Sequence, residues 1–409
     1  MNTIIEPARE LTVTKQYDTV VCGGGIAGVS AALASAANGA KTLLIEREFM
    51  LGGLATAGLI AIYLPLCDGM GRQVSFGLAE ELLRLSLRHG TDAPNGVPTA
   101  WLENGSIDER IKKRFRTDYN PQVYAVDLEA MLLEKGVDLL YGTVVCGVNV
   151  ADGIISHIIN ENKSGRTAVA VKTGVDATGD ADIVHLSGEE EALFGQGNVL
   201  AAWYYAAKGG QYRIVKLGAC DVPDEEKTLK RTKPLTERRF GGIDADELTE
   251  QVLLSHKISM EDFFKKGSLG GDYSLATLAT IPQVRMTRRL NGGCVMHDKD
   301  MHTAYADSVG LFSDWRKRGP VYELRYAALH GSRVKNLICA GRNISVTDAM
   351  WDITRVIPVC AVSGQAAGTA AAMFSDFTAA DVPALQRQLE KDGVILHESE
   401  LIPVSHKTL

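Results

Sequence analysis

Residues Tyr17 to Thr56 read YDTVVCGGGIAGVSAALASAANGAKTLLIEREFMLGGLAT, and the fold follows from how this stretch is punctuated. Asp18 to Cys22 is a short apolar, β-prone run that breaks at once into glycine, as a strand feeding a tight turn does. Gly23, Gly25 and Gly28 stand in G-x-G-x-x-G register: the first permits the turn, the second lets a pyrophosphate approach the backbone, and the third lets the next helix lie close to the strand. That helix, Ile26 to about Asn38, is rich in Ala, and Gly39 ends it. Its first amides, Ile26 and Ala27 among them, carry the positive end of the macrodipole. Lys41 to Ile45 is a second strand, and it finishes at Glu46, eighteen residues beyond Gly28, where an acid meets a ribose hydroxyl pair. A glycine-rich turn in another kind of α/β protein explains the glycines but not Glu46.

Glu46-Arg47 is followed by a second small-residue loop, Gly52-Gly53-Leu54-Ala55-Thr56. With this loop the chain resembles the glutathione-reductase-like FAD flavoproteins, and within them the FAD-dependent oxidoreductase family. The resemblance implies an α/β fold whose doubly wound FAD-binding domain places the loop along the pyrophosphate and flavin. Two further stretches carry it. A strand running into Asp176-Ala177-Thr178-Gly179-Asp180 is similar to the family's second signature, which passes the adenosine side. Leu337-Ile338-Cys339-Ala340-Gly341-Arg342 is similar to the third, which returns the chain beneath the flavin. Arg355, Val356 and the helix containing Ala367 and Gly368 follow, and Pro358 suits that helix's first turn. Val144 and Val145 fall where the resemblance puts a main-chain contact to adenine; plain sheet core accounts for them equally.

The length and mixed composition suit two domains: 409 residues, 45% hydrophobic and 23% charged. A net charge of -7 disfavours nucleic acid as a partner. Seven cysteines without a C-x-x-C argue against iron-sulfur, zinc and redox-disulfide chemistry and for a reducing, cytoplasmic setting. The first sixteen residues lack the apolar core of a signal peptide. Val356 to Phe374 is uncharged, but it is built of small residues and carries Pro358, which favours a buried helix over a membrane span.

The FAD-binding domain is expected to be discontinuous, from 15–90, 120–188 and 330–376. The stretches 91–119 and 189–329 form an inserted α+β substrate domain, and 377–409 form a helical tail. Within these, Thr91 to Pro98 reads as a loop, and Asp127 as the cap of a helix from Val126 to Lys135. The basic run Arg110 to Arg116 reads as a solvated face.

Candidates for chemistry are fewer. Arg285 and Arg288 lie in a segment resembling the family's arginine-containing entry to the substrate domain, where a guanidinium clamps a carboxylate; surface salt bridging is the competing explanation. Tyr326 and His330 precede the third signature and would reach the ring, although a lone His is more often structural. Asp348 and Asp352 are weaker candidates. The chain departs from the family pattern at Asn343, where many members have Cys, and at Asp348, where many have His. No metal motif appears.

The reading is therefore an FAD-dependent oxidoreductase acting on a small, anionic organic substrate by hydride transfer at flavin N5. Two rivals stay open: a fumarate-reductase-type enzyme reducing an activated alkene, and an electron-carrying flavoprotein subunit. A homo-oligomer or an electron-transfer partner is compatible with each.

Overall fold

The computed structural model describes residues 3–90, 99–103, 105–218 and 234–402. The loop expected over 91–98 lies outside them.

The architecture is mixed α/β around a parallel-rich sheet. Its strands are β1 (Val13–Cys22), β2 (Thr42–Ile45), β3 (Asp138–Leu140), β4 (Val144–Ala151), β5 (Ile154–Asn162), β6 (Gly165–Asp176) and β7 (Leu337–Cys339). β1 pairs parallel with β2 and β6, β2 with β3, and β6 with β7. The register sets Leu140 beside Ile45, Ile45 beside Cys22, Cys22 beside Asp176, and Asp176 beside Cys339. The carboxyl ends of these strands are therefore flush, and the turns that follow them open on one edge. β4, β5 and the first half of β6 form an antiparallel meander.

Strands buried on both faces read as apolar runs, and β2, Thr-Leu-Leu-Ile, is buried throughout. Helix α1 (Ile26–Ala37) packs on the sheet together with α2 (Pro121–Glu134) and α4 (Ile357–Met373), which follows the short α3 (Asp348–Thr354). A Cβ on Gly364 would stand 2.3 Å from the Ala27 carbonyl oxygen, and one on Gly368 would stand 2.0 Å from that of Ala31. The two helices thus lie backbone against backbone and run in the same direction, which brings both amino ends to the flush edge of the sheet. No single helix among the described residues is long and apolar enough to cross a membrane.

Helix α2 begins earlier than its apolar spacing suggests. Asn120, not Asp127, is the cap: its side chain accepts from the Gln122 and Val123 amides, with Pro121 in the first turn. The Asn-Pro pair is the stronger start signal because Pro needs no amide partner there.

Between 189 and 329 the chain builds a three-stranded antiparallel sheet, Gln211–Val215, Tyr204–Lys208 and Tyr273–Leu278, backed by the helix Ala245–Lys266. Ser255 and Ser259 of that helix donate to the Ala201 and Ala202 carbonyls at 3.0 and 3.1 Å. The hairpin Ser308–Ser313 and Val321–Arg325 instead packs on α4, and its Val309, Phe312, Tyr322 and Leu324 join the main core. The main core thus extends into the end of the stretch read as inserted.

Candidate functional site

A cleft with about 1370 Å³ of empty space, the solvent at its mouth included, runs along the flush strand ends. Each turn leaving the sheet contributes to its wall: Glu46 after β2, Gly23 and Gly25 after β1, Ala177 to Asp180 after β6, and Gly341 and Arg342 after β7. This is where ligands bind in parallel α/β sheets, since the strand ends and the following helix amides converge there.

The glycines divide by task. Gly23 has φ +102° and Gly28 faces its carbonyl so closely that a Cβ would stand 1.8 Å from that oxygen; these two shape the turn and seat α1. A Cβ on Gly25 would meet nothing within 4 Å, so this backbone is bare toward the cleft. The second glycine loop is tied to the first. The Gly52 amide donates to the Gly24 carbonyl at 2.8 Å, and a Cβ on Gly53 would stand 3.3 Å from the Gly25 Cα. Thr56 does not line the cleft; its hydroxyl donates to the Leu51 carbonyl and closes the loop from behind.

Glu46 is 7% exposed and accepts the Gly24 amide at 2.5 Å and the Glu48 amide at 2.8 Å. Burial raises its pKa, opposed by those two amides and by Arg47. The Thr143 amide donates to the Glu46 carbonyl at 3.1 Å, which sets Val144 and Val145 on the same wall beside Arg47.

Asp176 organises the opposite side. Fully buried, it accepts from the Thr178 amide and hydroxyl, from the Ile183 and Val184 amides, and from the Asn343 side chain. Asn343 therefore welds the turn after β6 to the turn after β7. Arg342 lies over Gly179, whose Cβ would stand 2.7 Å from the Arg342 Nε, and pairs with Asp180 at 2.8 Å. Thr287 donates to the same Asp180 oxygen at 2.6 Å. Asp182, also on the wall, has its pKa pushed up to about 6 by burial and by the Asp180 and Asp176 carboxylates, with Arg47 and Arg288 pulling it back.

Helices α1 and α4 open on the cleft with no side-chain cap and no acidic residue in the first turn. Ile26, Ala27, Arg355, Ile357 and Cys360 line it there. Burial pushes the Cys360 thiol up to about 12, so it is no thiolate at neutral pH.

Other expected residues stand elsewhere. Ala367 and Gly368 lie far along α4, do not line the cleft, and serve the contact with α1; Val356 caps α4 without lining it. The four expected catalytic side chains do not line it either. Arg285 is 2% exposed and lies over the Trp203 ring at 4.9 Å. Arg288 pairs with Asp182 at 3.6 Å and Glu191 at 3.4 Å, one layer behind the wall. The Tyr326 hydroxyl donates to the Phe377 carbonyl at 3.0 Å, and burial holds its phenol well above its ordinary range. His330 sits against Tyr326, ring centres 4.9 Å apart, with Nδ1 2.9 Å from the Gly331 carbonyl. Their neighbours in sequence reach the wall instead: Ile281, Pro282 and Val284, together with Gly242 and Leu248. Pro282 and Val284 belong to the segment that carries the two arginines; no motif marks Gly242, Leu248 or Ile281, because only the packing of the inserted stretch brings them to the cleft.

Among the described residues no group of His, Cys, Asp and Glu is placed to hold a metal ion. A dinucleotide fits what is present. The Gly25 backbone is bare, two helix amino ends face one space, and the buried Arg342 Nη1 has no partner within the protein. Each of these suits a ligand carrying a pyrophosphate.

A model of the family described as FAD dependent oxidoreductase matches residues 18–199 and 243–389. The chain belongs to the FAD dependent oxidoreductase family. It is an enzyme of that family, and FAD is its cofactor. A vinyl phenol reductase of Lactiplantibacillus plantarum is 27% identical over 179 residues, 38% of this chain and 36% of that protein, so the match spans about a third of the relative's length. Among solved structures, a geranylgeranyl bacteriochlorophyll reductase-like protein from Thermoplasma acidophilum is similar at a TM-score of 0.49 and 14% identity, over 92% of this chain and 83% of that one. A flavocytochrome c3 fumarate reductase is similar at 0.40 and 14% identity, over 89% and 79%.

Proposed function

We propose that FAD lies along the carboxyl-end cleft of a glutathione-reductase-like, doubly wound domain, and that the enzyme passes a hydride between flavin N5 and a small anionic organic substrate. The domain comprises 15–90, 120–188 and 330–376, with 91–119 and 189–329 inserted as substrate domain. The observation that carries this reading is the flush set of turns with Glu46 at one end, Gly341 at the other, and two uncapped helix ends between them.

Bound there, FAD supplies two-electron chemistry, and the protein's part is to bind, orient and exclude water. Glu46 accepts the adenosine ribose hydroxyls, and the β4 backbone at Val144 and Val145 meets the adenine. The Ile26 and Ala27 amides, the Gly52–Gly53 loop with Leu54 and Ala55, and the turn from Ala177 to Asp180 flank the pyrophosphate, with the Arg342 Nη1 as its cation. Arg355 and the amino end of α4 hold positive charge at the far end of the cleft, where fixed dipoles stabilise an anion without reorganising. Substrate enters against Gly242, Ile281, Pro282 and Val284. A second reading, reduction of an activated alkene, draws support from the likeness to a vinyl phenol reductase.

Anaerobic titration tests both readings. Bleaching of the bound flavin by one of a panel of hydroxy acids, alcohols or amines fits the first. Reoxidation of pre-reduced enzyme by an unsaturated acid or a vinyl phenol fits the second. Tight FAD with no response to any small molecule leaves the electron-carrying subunit, and protein that takes up no FAD ends all three.

A further inference from the structure

Behind the end of the cleft formed by α4 lies an ionic chain that neither the signatures nor the core explains. Arg355, whose side chain is 9% exposed, lines the cleft one residue before the cap of α4, and its Nη2 pairs with Asp352 Oδ1. The Asp352 side chain is wholly buried; its other oxygen lies 3.6 Å from Arg316 Nη1. Arg316, 3% exposed, grips the wholly buried Asp314 with Nε and Nη2, both at 3.0 Å. Arg114 donates to the Asp314 carbonyl, Lys317 stands 3.9 Å from Asp314 Oδ2, and the Trp315 indole donates to the Asp352 carbonyl at 2.8 Å. The chain joins three segments far apart in sequence: the basic run near 114, the hairpin turn at 314–318, and α3.

Buried ion pairs of this kind return little stability over a well-packed apolar replacement, because desolvation consumes most of the Coulomb gain. What they do supply is a fixed charge at a fixed place, in surroundings where a field is weakly screened. Arg355 is the member that reaches the cleft, and every other member holds the one before it. A cation held at the flavin end of the site favours the reduced ring, whose added negative charge it stabilises.

We propose that this chain sets the reduction potential of the bound flavin through the charges it fixes behind the cleft: Arg355 is the cation on the wall, Asp352 the anion that offsets it, and Arg316, held by Asp314, the cation that offsets Asp352 in turn. The inference rests on FAD lying in the cleft as proposed above. It makes opposite predictions for neighbouring side chains of opposite charge. Asp352→Asn keeps the shape and an oxygen acceptor while removing a negative charge, and it raises the midpoint potential. Arg355→Met removes the cation and lowers it. Arg355→Lys, which keeps the charge, restores most of the loss. Arg316→Met lowers the potential less, because it acts through Asp352.

The measurement is a dye-coupled redox titration of the FAD-loaded enzyme, with FAD affinity measured alongside. The expected change for Asp352→Asn and Arg355→Met is at least tenfold in the equilibrium between oxidised and reduced flavin, about 30 mV for a two-electron couple. Folded, FAD-loaded Asp352→Asn and Arg355→Met whose potentials are unchanged or move together overturn the inference and leave the cofactor reading intact. Failure of the parent enzyme to take up FAD sinks the cofactor reading instead. If Arg355→Met does not fold, the opposed shifts of Asp352→Asn and Arg316→Met decide the matter.

Discussion

The turns after the parallel strands and the inserted stretch from 189 to 329 both reach the cleft, yet they are built on opposite principles. The first works through main chain. Gly23, Gly52, Gly179 and Gly341 contribute backbone where a side chain would obstruct, Gly25 leaves its backbone bare toward the cleft, and the few side chains that matter, Glu46 and Asp176, are pinned by backbone amides. The second works through apolar surface: Ile281, Pro282, Val284 and Leu248 arrive by packing, and the charged residues beside them turn inward to other partners. A site built from backbone tolerates almost no substitution at its glycines. A wall built from apolar side chains tolerates shape-conserving change.

The sharpest break of that contrast is at the helix contact. Gly28→Ala and Gly368→Ala each put a methyl within about 2 Å of a main-chain carbonyl oxygen, 1.8 Å from Gly23 and 2.0 Å from Ala31. Neither carbonyl can step aside without moving a strand turn or a helix. We expect a loss of about 3 kcal/mol or more, at the upper end of overpacking, with loss of bound FAD. Denaturant unfolding and flavin content measure it; a folded Gly28→Ala protein that keeps its flavin breaks the comparison.

Next in size is Glu46→Ala. It strips the Gly24 and Glu48 amides of a charged acceptor, a class of bond worth about 1.5–3 kcal/mol. FAD binding should weaken roughly 10- to 100-fold, by fluorescence titration, with Glu46→Gln between the two.

These two predictions follow from residues that were legible in the sequence, and the reason is physical. G-x-G-x-x-G, D-A-T-G-D and A-G-R name backbone conformations, and a backbone conformation is local. Asp182 and Cys360 were not legible, since nothing in their neighbours says which way a side chain on a turn or a helix will face. Asn343, noted in the sequence only as a departure, ties Asp176 into the turn after β7 from 167 residues away, a contact no local spacing encodes. The arginines at 285 and 288 show the same limit from the other side. The resemblance of their segment implied a substrate clamp, but Arg285 lies over Trp203, Arg288 pairs with Asp182 and Glu191, and the residues at the wall are their uncharged neighbours.

Asp182 sharpens the comparison more gently, through pH. Burial and the neighbouring carboxylates push its pKa up to about 6, above the ordinary range of an aspartate, so between the two the folded protein holds a proton that the unfolded chain has released. Asp182's contribution to stability therefore falls as pH rises from about 4 to 6 and is level above that. Asp182→Asn should flatten this window and stabilise the protein above it. The gain is limited to about 1 kcal/mol, because the side chain keeps 42% of its exposure and water screens the field. Urea unfolding at pH 4.5, 5.5 and 7.5 reads it; parallel slopes for the two proteins rule it out.

The smallest effect on catalysis belongs to Tyr326 and His330, the pair expected from the sequence to reach the ring. Tyr326 and His330 engage Phe377, Gly331 and each other, and neither lines the cleft. Tyr326→Phe leaves the buried Phe377 carbonyl without its donor, a cost of about 1–3 kcal/mol in stability, and His330→Gln should cost less because the ring is only half-buried. Both variants should reduce their flavin within about twofold of the parent rate, under half a kcal/mol in the barrier. Stopped-flow reduction at several pH values separates the alternatives. A rate that drops a hundredfold in His330→Gln, or loses a protonation step seen in the parent, would return this histidine to the chemistry and place the reacting edge of the cleft on the far side of the turn after β7.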